Sequence, residues 1–307
     1  MIRTDRLSRF VRAAAENGIV IPAFNMHYLP MVKPICEALA ANDTFGMVEV
    51  SRIELLKFEI PSITAAAEEY RRHADTRVTS LHLDHIPVID EDGFEVDWKP
   101  LIEEGLAAGY DSVMIDGSRL PFEENVAVTA EVVRMAHAQG VLVEAELGSV
   151  VGHEAGPLPP YEELFQSKAG FTAPEQAREF VERTGVDWLS VSVGSVHGAI
   201  AAAARDQAKV EAKLDIERVR ELRRATGVPL VLHGGSGVIQ SYVLDAVRNG
   251  VVKINIATDI RQPYDRVIAS GGSVEEGQRV VVETISRIIR EKYGIQGSAT
   301  RLAALTS

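Results

Sequence analysis

The chain has 307 residues, of which 46% are hydrophobic and 25% are charged. This balance is that of an ordinary globular protein and excludes the disordered, collagen-like and low-complexity classes. Lys and Arg total 32 against 44 Asp and Glu, a formal net charge of -12, which argues against nucleic acid or an anionic membrane surface as a partner. An anionic small substrate would therefore need local hydrogen-bond donors.

The cysteine content and the N-terminal composition bear on the cellular compartment. Cys36 is the only cysteine, which excludes an intrachain disulfide and a metal site built on several thiolates. Residues 1–18 intersperse charged and apolar side chains and lack the apolar core of a signal peptide. No apolar run reaches the roughly 18 residues of a membrane span. We therefore expect a cytoplasmic protein without a membrane partner.

Short β-rich apolar runs alternate along the chain with longer segments of helical period, as in repeated βα units around a parallel sheet. The predicted strands occupy residues 19–24, 47–51, 78–83, 112–116, 142–147, 188–193, 230–232 and 252–256. Helical periodicity is found between them, for example at 55–73, 125–139, 174–184, 215–226 and 241–249. Eight such units predict the α/β class and a (β/α)8 TIM barrel.

The domain organisation follows from the absence of a boundary signal. No Pro/Ser-rich linker or shift in composition divides the chain, so we expect a single TIM-barrel domain over residues 1–307. Its last part, about residues 273–307, is predicted to form extra C-terminal helices, although 294–307 carry little signal. Segments 86–100 and 149–171 exceed ordinary βα loop lengths, and long loops in a barrel usually contact ligands.

Histidines stand at the ends of several predicted strands. In a TIM barrel the catalytic groups come from the C-terminal ends of the strands, and His85, His197 and His233 end or follow three different ones. Each histidine alone is more often structural than a ligand. Together, three imidazoles without a nearby cysteine suit a catalytic zinc site that leaves a fourth position for substrate. His82 is expected to support its neighbours.

Carboxylates accompany these histidines. Asp84 is either an acid/base that exchanges a proton with a substrate hydroxyl or an acid that orients an imidazole. Strict strand alternation would put Asp84 and His85 on opposite faces, so regular geometry must stop near Leu83 if both serve one site. Asp116 and Glu146 end neighbouring strands, where they would either hold a second metal position or support the first.

Small residues follow the last two predicted strands. Gly234, Gly235 and Ser236 come after the seventh strand, and Ile256, Ala257 and Thr258 end or follow the eighth. TIM barrels commonly form a phosphate site at this place, from loop amides and the N-terminus of a short helix. The pattern therefore predicts a binding site for an anionic group.

Seven short motifs occur between about residues 20 and 260, namely Pro22-Ala-Phe-Asn25, Leu81-His-Leu-Asp-His85, Ser112-Val-Met-Ile-Asp-Gly-Ser118, Glu144-Ala-Glu-Leu-Gly148, His197-Gly198, Leu230-Val-Leu-His-Gly-Gly-Ser-Gly237 and Lys253-Ile-Asn255. In this ordered set the chain resembles the class II, metal-dependent ketose-bisphosphate aldolases, which include the fructose- and tagatose-bisphosphate aldolases. The resemblance implies a zinc-dependent aldolase that reversibly cleaves a phosphorylated ketose to dihydroxyacetone phosphate and an aldehyde.

The resemblance also implies roles for individual residues. It implies zinc on His85, His197 and His233. Asp84 would handle the proton of the C4 hydroxyl, and Glu154, in the loop after the fifth strand, would transfer a proton at the dihydroxyacetone phosphate carbon.

The same resemblance assigns the anionic half of the substrate. Gly198, residues 234–236 and residues 255–258 would bind the phosphate and orient the ketone, with Asn255 counted among the catalytic groups. Ser51 is expected to contact substrate as well. A monovalent cation, Na⁺ or K⁺, is implied nearby, and the default assembly of the family is a homodimer or homotetramer.

Departures from the family pattern concern the aldehyde half of the substrate. Ile86 replaces the glycine that usually follows the Asp-His pair, and residues 51–57 differ from the glycine-rich segment near the distal phosphate. Ala155 stands where a second loop acid is common. The dihydroxyacetone phosphate half is therefore expected to be intact, while the aldehyde could differ or lack a phosphate.

Three other functions fit parts of the pattern. Lys253 could form a Schiff base in a metal-independent aldolase, which borohydride would trap and a chelator would not inhibit. A metal-dependent hydrolase is disfavoured because no His-x-His pair occurs. A sugar-phosphate-binding protein without turnover is disfavoured by the presence of Asp84 and Glu154.

Overall fold

The chain folds around a ring of parallel strands. A computed structural model describes residues 3–148, 161–195, 212–235 and 238–307. Within these ranges eight strands pair in sequence order, and the eighth pairs with the first to close the barrel. They are β1 (Ile21–Asn25), β2 (Gly46–Val50), β3 (Thr79–Pro87), β4 (Ser112–Asp116), β5 (Leu142–Leu147), β6 (Trp188–Val191), β7 (Leu230–Leu232) and β8 (Val251–Ile256). The predicted (β/α)8 TIM barrel is confirmed.

Helices surround this barrel and continue beyond it at the C-terminus. Those of the described ranges are α1 (Arg3–Asn17), α2 (Val32–Ala41), α3 (Arg52–Lys57), α4 (Ile63–His73), α5 (Trp98–Ala107), α6 (Phe122–His137), α7 (Tyr161–Ser167), α8 (Pro174–Thr184), α9 (Ile216–Thr226), α10 (Gln240–Arg248), α11 (Thr258–Ala269), α12 (Val274–Arg287) and α13 (Ser298–Leu305). A π-helical turn, Ile288–Tyr293, extends α12. None of the helices in these ranges combines the length and apolar character needed to cross a lipid bilayer.

The third strand is irregular at the place where a site shared by Asp84 and His85 would require it. β3 pairs regularly with β4 up to Leu83, and the register then shifts before Ile86. His85 lies inside the shift and has a φ of 26°, a left-handed conformation that a non-glycine residue rarely adopts. Because the strand is irregular here, Asp84 and His85 need not project from opposite faces.

Three local expectations need correction. The helix predicted over 55–73 is divided into α3 and α4, because Pro61 disfavours a helical conformation in the residue before it and the Ser62 side chain caps the start of α4 by accepting from Ala65 N. Residues 294–307 contain α13, whose eight residues are too few for periodicity to reveal. The loop predicted at 86–100 is shorter, since β3 reaches Pro87 and α5 begins at Trp98.

Aliphatic side chains fill the layer between the strands and the helices. Ile254 on β8 and Leu222 on α9 are fully buried members of this core. Burying such a side chain stabilises the fold by about 1.5–3 kcal/mol. The layer holds the strands in register and thereby fixes the places where they end.

The inside of the barrel is polar instead. Polar residues two positions apart occur on β3 (His82 and Asp84), and the same spacing recurs on β5 and β8. Residues with this spacing share one face of a strand. Their side chains contact one another across the barrel, as described below, so the apolar and polar faces of the same strands form two different layers.

Candidate active site

Two histidines face each other at the C-terminal end of the barrel. Nδ1 of His233, which directly follows β7, is in close contact with Nε2 of His85 on β3, and the two ring centroids are 4.3 Å apart. The other nitrogen of each ring contacts a carboxylate. His85 Nδ1 lies 3.3 Å from Asp116 Oδ2, and His233 Nε2 lies 2.8 Å from Glu144 Oε1.

This arrangement determines which nitrogens are available to a ligand. A ring nitrogen beside a carboxylate carries the proton, and the opposite nitrogen of a neutral imidazole then presents a lone pair. In their neutral forms, His85 Nε2 and His233 Nδ1 therefore direct their lone pairs at the same point. Two converging imidazole lone pairs, each backed by a carboxylate, are the usual surroundings of a transition-metal ion, so these residues fit a metal.

Asp84 completes this group. Its carboxylate, His85 and His233 each offer a ligand atom, and these atoms lie within 4.8 Å of one another. Asn25 Nδ2 donates to Asp84 Oδ2 at 3.2 Å, and Asn255 Nδ2 donates to Oδ1 at 2.9 Å. Burial opposes ionisation, but His85 and Lys253 outweigh it and hold the pKa of Asp84 far below its usual range. Asp84 is thus an ionised carboxylate in a fixed orientation.

Asp116 and Glu146 form a second group with His85, again with ligand atoms within 4.8 Å. Asp116 Oδ1 accepts from the amide and the hydroxyl of Ser118, at 3.0 and 2.6 Å. Glu146 Oε2 accepts from Ser190 Oγ at 3.1 Å and lies 3.7 Å from His233 Nδ1. Burial and the neighbouring Asp116 raise the pKa of Glu146 to about 8. Several carboxyl groups thus lie around one pair of imidazoles, and a bound cation would offset the repulsion between them.

Of the residues predicted to bind phosphate, those that the structure describes, Gly234, Gly235 and residues 255–258, lie where β7 and β8 end. Gly234 has a φ of 68°, which lets the chain turn directly after His233. A Cβ on Gly235 would come within 2.9 Å of Ile254 Cγ2, so a larger residue would push the turn away from β8. Ile256 ends β8, and after Ala257 the helix α11 begins at Thr258.

The remaining predicted site residues are Ser51 and four residues that the structure does not describe. Ser51 starts α3, and its amide and hydroxyl donate to Glu54 Oε2 at 2.8 and 2.5 Å. Four predicted residues fall outside the described ranges, namely Glu154, His197, Gly198 and Ser236. Their roles, like those assigned to the residues above, stay predictions.

A charged network beneath Asp84 was not predicted as such. Nζ of Lys253 on β8 lies 3.2 Å from both Glu49 Oε2 and Glu144 Oε2, and 3.7 Å from Asp84 Oδ1. It also donates to Asn255 Oδ1 at 2.7 Å. The sequence does hold a signal for this network, namely a charged residue within an otherwise apolar strand, such as Glu49 in β2 and Lys253 in β8.

A second buried polar group adjoins β1 and β2. His27 Nε2 lies 3.7 Å from Glu54 Oε1, and both side chains are almost fully buried. Burial lowers the pKa of His27 to about 3 and raises that of Glu54 to about 7. Residues 51–57, which depart from the family's glycine-rich pattern, therefore place the buried carboxyl of Glu54 beside Ser51. The carboxyl is close enough to Asp84 for the two groups to interact electrostatically.

The chain is similar to known aldolases of solved structure. The YdjI aldolase of Escherichia coli K12 is 26% identical, with a TM-score of 0.73 over 95% of this chain and 98% of that one. The fructose-bisphosphate aldolase of Campylobacter jejuni, at 19% identity, shares the fold with a TM-score of 0.74 over 96% of each chain.

The family comparison covers nearly the whole sequence. The model of the family described as fructose-bisphosphate aldolase class-II matches residues 5–301. That range includes all eight strands of the barrel and the His85, His233 and Asp84 group. The chain therefore belongs to the class II fructose-bisphosphate aldolase family and is an aldolase, a carbon–carbon lyase.

Proposed function

We propose that the chain is a zinc-dependent aldolase that reversibly cleaves a phosphorylated ketose, of the fructose- or tagatose-bisphosphate type, into dihydroxyacetone phosphate and an aldehyde. The observation that carries the proposal is the pair of facing nitrogens, His85 Nε2 and His233 Nδ1, each held by a carboxylate on the opposite side of its ring. His197 would be the third ligand by resemblance to the family. Zn²⁺ bound there supplies a Lewis acid that stabilises negative charge developing at the ketone oxygen.

Asp84 is proposed as the base of the cleavage. Its carboxylate is ionised and fixed by Asn25 and Asn255. In this scheme it takes the proton of the C4 hydroxyl, the O–H electrons form the aldehyde carbonyl, and the C3–C4 bond breaks with its electrons moving to C3. A proton delivered to C3 then completes dihydroxyacetone phosphate, a step that the family resemblance assigns to Glu154.

The phosphate of the dihydroxyacetone half would be held at the ends of β7 and β8. Gly198, Gly234, Gly235, Ser236 and residues 255–258 are proposed as its ligands. Backbone amides in a glycine turn and at the start of a helix bind an anion without a formal charge, which suits a chain with a net charge of -12. A monovalent cation, Na⁺ or K⁺, is proposed beside this phosphate.

The proposal extends to assembly, organisation and location. The family resemblance supports a homodimer or homotetramer. A single domain over residues 1–307 is supported by contact between the two ends of the chain, where Arg9 of α1 donates to Thr306 O at 2.8 Å. Burial raises the pKa of the Cys36 thiol to about 12, so it is unreactive, and a lone free thiol suits the cytoplasm.

A retro-aldol screen tests the proposal. Phosphorylated ketoses are incubated with metal-stripped protein, with and without added Zn²⁺, and dihydroxyacetone phosphate release is followed. Activity is expected only with the metal, and at least one ketose should release this product. Activity that resists a chelator, together with a borohydride-trapped adduct on Lys253, would instead establish the Schiff-base reaction.

A further inference from the structure

Lys253 is a fully buried ammonium group in the middle of the barrel. It is 1% exposed, while Glu49 and Glu144, the two carboxylates nearest to it, are 0% exposed. A buried charge persists only where partners compensate the loss of hydration. Burial alone would lower the pKa of Lys253, but Glu144, Glu49 and Asp84 outweigh it and hold the pKa above its ordinary value. Because carboxyl oxygens of Glu49 and Glu144 lie 3.2 Å from its Nζ and Asp84 Oδ1 lies 3.7 Å away, the site suits an ammonium group that orients its neighbours and not a free amine nucleophile.

One contact of Lys253 orients the proposed base. Its ammonium donates to Asn255 Oδ1 at 2.7 Å. A side-chain amide has one accepting end and one donating end, so Asn255 must turn its Nδ2 the other way. That nitrogen donates to Asp84 Oδ1 at 2.9 Å. Lys253 thereby determines which end of Asn255 meets the carboxylate of Asp84.

A second contact of Lys253 acts through Glu144 on His233, a proposed metal ligand. Its ammonium lies 3.2 Å from Glu144 Oε2, an oxygen that also accepts from Trp188 Nε1 at 2.7 Å. Glu144 Oε1, the other oxygen, is 2.8 Å from His233 Nε2. This contact keeps the proton on Nε2 and the lone pair on Nδ1, which faces His85. Lys253 therefore holds in place the carboxylate that sets the tautomer of His233.

From these contacts, and resting on the proposed function, we infer that Lys253 is a positioning residue for both halves of the site. Through Asn255 it aims Asp84 at the substrate hydroxyl, and through Glu144 it keeps His233 ready to bind metal. It forms no covalent bond with substrate. Groups that hold a metal-ligating histidine typically change metal affinity or activity by about 10- to 100-fold when lost.

The test compares Lys253→Met with the wild type. Methionine has a similar length but offers no donor and no charge. We expect kcat in the retro-aldol reaction to fall by about 100-fold while KM changes by less than about threefold, because the variant removes none of the proposed phosphate ligands and the backbone amides among them do not depend on Lys253. Zinc affinity of the metal-free protein, measured by chelator competition without substrate, should fall by about tenfold. Lys99→Met, which removes an exposed lysine paired with Glu131, is the control and should change neither.

A double variant separates positioning from charge balance. Glu49→Gln with Lys253→Met removes the ammonium together with one of the two carboxyl groups nearest to it, so no buried acid is left without its partner there and the variant should fold even if Lys253→Met does not. We expect it to keep the losses of kcat and zinc affinity. Restoration of both to within about twofold of wild type would reduce Lys253 to a counter-ion for Glu49 and overturn the inference.

Two further outcomes also decide the matter. A borohydride-trapped substrate adduct on wild-type Lys253 would overturn the inference, as would unchanged kcat and zinc affinity in Lys253→Met. If no ketose is cleaved by the wild type, the proposed function fails. The zinc-affinity comparison then still tests Lys253, since retained affinity in the variant would contradict the inference and reduced affinity would support its metal-ligand half.

Discussion

The two faces of a single strand of this barrel have different chemistry. On β8, Lys253 and Asn255 point into the charged network, whereas Val252, Ile254 and Ile256 belong to the apolar core. The apolar face stabilises the fold by about 25 cal/mol for each Å² of apolar surface that it buries, and this contribution depends little on the orientation of individual side chains. The polar face works through specific partners, and removing one member leaves a buried charge uncompensated at about 3–5 kcal/mol.

This contrast predicts different consequences for substitutions on the two faces. Changes to the outer layer should reduce stability and spare the chemistry. Changes inside the barrel should reduce metal binding or turnover by large factors. The following four substitutions test this division.

The largest effect is expected for His233→Ala. It removes an imidazole whose Nδ1 faces His85, so zinc content and aldolase activity should both be lost. Zinc is measured by elemental analysis after gel filtration, alongside the rate of ketose cleavage. His73→Ala, on the half-exposed side of α4 beside Glu69, is the control and should retain both. Unchanged zinc content in His233→Ala would remove this residue from the ligand set.

Asp84→Ala should separate turnover from binding. The variant loses the carboxylate that takes the substrate proton but keeps the facing histidines, so kcat should fall by about 100-fold or more while zinc remains bound. Steady-state kinetics and metal analysis of the same preparation give both quantities. A fully active variant would show that Asp84 only orients its neighbours and that another group accepts the proton.

Leu222→Ala probes the outer layer. Leu222 is fully buried on α9, and its truncation should lower the free energy of unfolding by about 2–5 kcal/mol. Zinc affinity and kcat should stay within about twofold of wild type, because no polar contact of the interior changes. Denaturant unfolding measures the loss, with Leu305→Ala as control since Leu305 is 46% exposed. A selective loss of kcat in a stable Leu222→Ala would break the proposed division.

The smallest effect concerns Glu54 and pH. Burial raises its pKa from 4.5 to about 7, so the folded protein binds this proton more tightly than the unfolded chain. The resulting stability is complete below the unfolded pKa and is lost as pH rises through the folded one. Glu54→Gln cannot titrate and keeps an acceptor for Ser51.

Stability is measured by denaturant unfolding at several pH values. The wild type should lose up to about 3 kcal/mol relative to Glu54→Gln between pH 4.5 and 8. Glu16→Gln, on the exposed part of α1, should follow the wild type. Parallel curves for wild type and Glu54→Gln would show that the buried carboxyl is not protonated in the folded state.

The barrel itself is largely readable from the sequence. All eight predicted strands overlap observed ones, because apolar runs and helical periods alternate without interruption. Even the irregular end of β3 follows from the adjacency of Asp84 and His85, which a regular strand would point apart. Short helices are harder, since the eight residues of α13 span little more than two turns.

The partners inside the barrel could not be predicted in the same way. Glu49, Glu144 and Lys253 lie on β2, β5 and β8, and their contact depends on how the ring closes. Periodicity shows that each side chain faces inward, but it gives neither the height of each residue along the barrel nor the side chain opposite. The sequence leaves a Schiff-base role for Lys253 open for this reason, since it does not show that carboxyl groups of Glu49, Asp84 and Glu144 surround the amine.

Closure of the ring by β8 against β1 has a consequence for biosynthesis. The ammonium that serves Glu49 and Asp84 arrives with the last strand, about 170–200 residues after them in the chain, and such distant contacts form late in folding. A nascent polypeptide still lacking that strand would hold these acids without their counter-charge. A chain that ends before β8 should therefore be inactive, because Asp84 then lacks both Lys253 and Asn255.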